Sequence, residues 1–139
     1  MSHTEKKFRL RYSDTIVGYM REVNESSYFF SKDSFWWSGR KLDYNKLDEW
    51  TGFYDKNRKM IFELDIVKYK VDPDDSTPRE GVILWNVKSE KFVICDLEHE
   101  AYFPLLLDGN IELFNSKQLE VYSYLFINPD LMVHFGIDE

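Results

Sequence analysis

Residues 7–12, KFRLRY, alternate apolar Phe8, Leu10 and Tyr12 with Arg9 and Arg11. Period two is the mark of a strand with one buried face. TIVGYM (15–20) repeats it across Ser13 and Asp14, which predicts a hairpin, and SSYFF (26–30) reads as a third strand. Residues 32–50 are harder to place. Asp33 or Ser34 stands where it would cap a short helix that Ser38-Gly39 stops, and Leu42, Leu47 and Trp50 recur at loose helical spacing.

From Thr51 the pattern sharpens. TGFYDKNRK (51–59) is turn chemistry, with Gly52, Asp55 and Asn57. MIFELDIVKYKV (60–71) holds two apolar clusters split by Glu63-Leu64-Asp65, and DPDDSTPRE (72–80) is a solvated loop. GVILW (81–85), KFVICDL (91–97) and LEVYSYLF (119–126) are further strands, with turns at 86–90 and 108–110. Pro129 sets a turn near the end, followed by one helical turn. The expected core is Ile61, Phe62, Ile66, Val67, Tyr69, Val82, Leu84, Phe92, Ile94, Val121 and Leu125. The fold expected is mostly β: a small SH3-like barrel over residues 50–139, with an N-terminal β-rich extension over residues 1–49.

Composition agrees. A chain of 139 residues is the usual size of one domain. Aromatics make up 17%, against six Gly and four Pro, which excludes a disordered chain and favours pleated structure. Charge changes the picture more. Residues 1–50 balance at +1, whereas residues 51–139 carry nine Lys/Arg against seventeen Asp/Glu, a balance of −8. Such an acidic body repels phosphate at long range, so nucleic acid is disfavoured as a partner except at the N-terminal third. Cys95 is the only cysteine, so an internal disulfide is excluded. The opening MSHTEKKFRLRY has no apolar signal core, and apolar runs of four to six residues are too short to span a bilayer. A soluble, cytoplasmic protein with no membrane partner is expected.

The stretch WTGFYDKNRKMIFELDIVKY (50–69), with EGVILW and LEVYSYLFINPDLM after it, resembles the YopX family of phage and prophage proteins. The family pattern Y-T-G-L-x-D-K-N-G-K-x-I-Y-E-G-D-I-V-K is matched at Thr51, Gly52, Asp55, Lys56, Asn57, Lys59, Ile61, Glu63, Asp65, Ile66, Val67 and Lys68. Its closing segment is matched at Glu120, Val121, Asn128, Pro129 and Leu131, and its opening at Lys7, Phe8 and Arg9. Two family glycines are replaced by Arg58 and Leu64, so either the turns are reshaped or these residues take ordinary conformations. The resemblance implies an SH3-type barrel and a mobile-element origin, with no established activity and no catalytic residues to carry over.

The residues themselves offer little chemistry. His99 lies among Asp96, Glu98 and Glu100, but on a continuing strand the three acids share one face and His99 takes the other, a poor metal site. The 72–80 loop lacks the central Gly and closing Glu of a calcium loop. Cys95 has no local His and reads as a small core residue. Asp65 reads as an acceptor of backbone N–H groups that fixes the start of its strand. No phosphate loop, nucleophile elbow or dinucleotide fingerprint is present. The expectation is therefore no enzyme, no cofactor and no metal. What stands out is a surplus of rings. YFF (28–30) and FWW (35–37) cannot all face one core, which makes Tyr28, Phe29, Phe35, Trp36 and Trp37 candidate interface residues for a protein partner, either a second copy in a homo-oligomer or a host or phage protein. A nucleic-acid-associated barrel is the other reading.

Overall fold

A computed structural model describes residues 5–32, 41–109 and 111–137. They fall into two units, one running to Trp50 and the other from Thr51.

In the first unit, β1 (Glu5–Tyr12), β2 (Thr15–Val23), β3 (Ser26–Phe30) and the first half of β4 (Lys46–Tyr54) form an antiparallel sheet in the order β3-β2-β1-β4. The β1–β2 hairpin turns at Ser13-Asp14, as the alternation predicts. The β2–β3 hairpin turns on Asn24 and Glu25 alone, at φ 48° and 70°. Two left-handed residues match the right-handed twist of the strands they join. Lys46–Trp50 is strand, not helix. Pairing of Leu47, Asp48 and Glu49 with Leu10, Arg9 and Phe8 overrides the loose helical spacing. The helix cap expected at Asp33 or Ser34 lies outside the described residues.

The alternation in β1 locates a strand, but at its centre both faces are covered and not one. Arg9 and Arg11 are buried along with Leu10, and Tyr12 is exposed. Both guanidiniums close on the buried carboxylate of Asp48. Arg9 Nε and Arg11 Nε donate to Oδ2, each at 2.9 Å, and a terminal nitrogen of Arg11 donates to Oδ1 at 3.0 Å. Charge-assisted bonds of this geometry recover part of the cost of taking the ions out of water.

The second unit holds β5 (Met60–Phe62), β6 (Asp65–Tyr69), β7 (Arg79–Asn86), β8 (Lys91–Asp96), β9 (Tyr102–Pro104), β10 (Leu106–Leu107), β11 (Ile111–Glu112), β12 (Leu119–Tyr124) and helix α1 (Pro129–His134). Its main sheet is antiparallel in the order β12-β6-β7-β8-β9, and β10 pairs with β11. No sheet among the described residues closes on itself, so the expected closed barrel is met only in its mainly β, antiparallel character. Ile61, Val67, Tyr69, Ile83, Ile94, Leu105, Phe114, Leu119 and Val121 form the core, each contributing about 1.5–3 kcal/mol if large and fully buried. Leu84 and Phe92, expected inside, are only partly buried. Gly81 is forced by crowding: a Cβ there would meet Ile94 Cγ2 at 2.4 Å and the Cys95 carbonyl at 2.9 Å.

The central motif now has a physical explanation. Asp55 is buried and accepts from the N–H groups of Asn57 and Lys59 through Oδ1 and of Val121 through Oδ2, all at 2.9 Å. One carboxylate thus shapes the turn and ties it to β12. Asp65 accepts from the Phe62 N–H at 2.8 Å, the role expected of it. Arg58 and Leu64 correct the expectation on both counts. The turns are kept, and the two residues sit at φ 62° and 73°, the left-handed region a glycine would fill without strain.

Candidate functional site

Two places on the second unit gather chemistry. The first is where β8 ends. The strand stops at Asp96 and the chain bends through Leu97–Glu100, so the face alternation assumed for Asp96 and His99 does not apply. Asp96 Oδ1 instead accepts from the backbone N–H groups of Glu98 and His99, at 2.8 and 2.9 Å, and lies 3.1 Å from His99 Nδ1. Since an ionised carboxylate only accepts, Nδ1 carries the proton and Nε2 faces away. Tyr69 Oη donates to Asp96 Oδ2 at 2.5 Å. Burial alone would raise the Asp96 pKa, but the bonds from Tyr69, Glu98 and His99 outweigh it and hold the carboxyl below its ordinary range. Burial pushes the Tyr69 phenol well above its usual value, and the adjacent Asp96 pushes it further. A cleft of about 470 Å³ opens beside the pair, with Lys68 and Arg79 set against Glu80 and Glu98 in its lining. Tyr69 is fully buried, and both oxygens of Asp96 are engaged, Oδ1 by the turn and His99 and Oδ2 by Tyr69. The arrangement clamps a turn. Neighbouring Cys95 is half-buried, and burial raises its thiol pKa.

The second place is the opposite end of the same strands. Trp85 on β7 faces Phe92 on β8 in register, with ring centroids 4.8 Å apart and planes at 71°. Ile83 and Ile94 are the next pair on that face and are fully buried, so the two rings are the outermost layer of the core. They line a cavity of about 210 Å³ with Phe53, Leu105, Glu90 and Lys91. Trp85 is 43% exposed although it continues the core layer of Ile83 and Ile94. Such a mouth can take one large side chain of another molecule.

Of the candidates drawn from the sequence, Tyr28 is exposed and Phe29 half-buried on β3. Phe35, Trp36 and Trp37 lie outside the described residues. Trp85 and Phe53 were missed. Their signal was present only as a Trp at the end of a predicted strand, and it needs the 86–90 turn to set the register that joins it to Phe92. Among the described residues no group of three His, Cys, Asp or Glu is placed to hold a metal ion, and no helix is long and apolar enough to cross a membrane.

Comparison with known proteins gives one family. The model of the YopX protein family matches residues 5–133, nearly the whole chain. The chain has no match among curated proteins.

Proposed function

The chain belongs to the YopX family, and on that premise we propose that it is a phage- or prophage-encoded, non-enzymatic module that binds a protein partner. The observation that carries this reading is the exposed Trp85–Phe92 pair at the mouth of the core. Half-exposed aromatic rings beside a small cavity are the usual anchors of protein interfaces. The connectivity of the second unit adds support for the SH3-like fold within the proposal. Four strands run in a meander, and after a 3-10 turn at Ser116–Gln118 the fifth, β12, returns beside the first, β6.

Association with nucleic acid is the weaker reading. The second unit, residues 51–138, carries nine Lys and Arg against sixteen Asp and Glu. In the N-terminal third, Arg9 and Arg11 are buried on Asp48 and offer no surface charge to phosphate.

The test is affinity capture from cells with and without the mobile element, using the parent protein and a Trp85→Ala variant that melts at the parent temperature. A protein held by the parent and lost by the variant supports the proposal. Equal capture by both, or salt-sensitive retention of nucleic acid in place of protein, overturns it. Light scattering on the same two proteins shows whether the partner is a second copy.

A further inference from the structure

Resting on that reading, we propose that the Trp85 mouth accepts a basic segment of its partner, with an arginine or lysine side chain laid on the indole and paired with Glu90. Two charged residues line the cavity, and they are not equivalent. Lys91 Nζ is held by Asp108 Oδ1 at 3.0 Å, while Glu90 is exposed on the 87–90 turn. The charge offered to an incoming group is therefore the Glu90 carboxylate. An exposed indole adds to this, because the negative face of its π system attracts a cation, most strongly when water is excluded. The cavity of about 210 Å³ has room for one long side chain and not for a folded element. Long-range charge selects in the same direction. The unit has a balance of −7 over residues 51–138, which steers basic segments towards it and opposes docking of the same unit from a second copy. An aromatic surface, a carboxylate at its rim and an acidic body behind it form a receptor for guanidinium or ammonium, and a poor one for phosphate.

Glu90 also supplies an unusual control. It sits at φ 54°, a left-handed conformation that glycine adopts freely. Glu90→Gly removes the carboxylate and relieves the backbone in one step, so binding and stability should move in opposite directions. A residue of merely structural importance would move them together.

The experiment uses the full chain and a set of capped octapeptides in which one central leucine is flanked by Arg, Lys, Gln or Glu. The Trp85 indole N–H resonance, assigned with Trp85→Phe, reports binding. We expect the Arg and Lys peptides to shift it and to bind about tenfold or more above the Gln series, weakening as salt rises. Glu90→Gln should weaken that binding about threefold, and Glu90→Gly should weaken it similarly while raising the melting temperature. If Gln or Glu peptides bind at Trp85 as well as the basic ones, the cation preference is overturned while the binding-module reading stands. Unchanged binding by both Glu90 variants overturns the role of that carboxylate. If no peptide moves the Trp85 resonance, the mouth is not a docking site and both readings fall.

Discussion

Replacing Asp55 should cost a large part of this protein's stability, and the structure says how much. Its carboxylate accepts three backbone N–H bonds at 2.9 Å. Those of Asn57 and Lys59 lie at a partly exposed turn, where water can take over in Asp55→Ala, so each loss is near the ordinary net value of about 1 kcal/mol. The Val121 N–H is buried, and its bond crosses 66 residues of sequence. Left without an acceptor it costs about 2–3 kcal/mol. Asp55→Ala is thus expected to lose about 4–5 kcal/mol, about a quarter or more of the roughly 5–15 kcal/mol typical of a domain. Asp55→Asn separates the two parts. Its carbonyl oxygen can keep the turn bonds, but its NH2 then faces the Val121 N–H, and about 2–3 kcal/mol should be lost. Urea unfolding followed by far-UV circular dichroism gives both values, provided the slopes stay equal. If Asp55→Ala unfolds within about 1 kcal/mol of the parent, or Asp55→Asn is no worse than the parent, the account of Asp55 as the tie between turn and strand is wrong.

Other expectations follow from single contacts. Asp48→Ala removes the carboxylate that two buried guanidiniums share and should destabilise by about 3 kcal/mol or more, visible in the same urea titration. Arg58→Gly relieves a left-handed residue at an exposed position and should stabilise by about 0.5–1 kcal/mol, read as a higher melting temperature. Tyr69→Phe tests the Asp96 network through pH. The folded Asp96 pKa is depressed, so its contribution is full above the unfolded carboxylate value near pH 4 and is lost as pH falls through the folded one. Removing the Tyr69 donor should move the acid-unfolding midpoint to higher pH, and an unmoved midpoint would show that the bond does not hold the charge.

Much of the architecture could be read from the chain, and the gaps have physical reasons. Alternation in β1 and the Ser13-Asp14 turn give the first hairpin, and Asp before IVKY gives the bond from Phe62, because these depend on neighbours in sequence. Period two tells which residues share a face but not that both faces are covered, and so it gives no sign that Arg9 and Arg11 are buried beside Leu10. Their burial depends on Asp48, 37 residues or more away. Lys46–Trp50 was ambiguous until β1 claimed it. The contact between Asp96 and His99 was lost by extending a strand through residues where the chain bends. Arg58 and Leu64 show that a turn held by Asp55 and Asp65 persists after its glycine is replaced, which no local preference would have suggested. The mouth at Trp85 and Phe92 needed strand register, and register depends on the 86–90 turn as a whole.

The return of β12 to lie beside β6 has a consequence for how the protein is made. Tyr69 pairs with Leu119 and Asp65 with Tyr124, and the turn at Asp55 is completed only by Val121. On the ribosome, β6 emerges with β7 and β8 close behind, but its other edge stays bare until some fifty further residues have been added. For that interval the nascent chain presents an unpaired strand bearing Ile66, Val67 and Tyr69, the kind of edge that other chains can capture. Translation speed over residues 70–124, and a chaperone that shields the edge while it lasts, are therefore expected to bear on yield.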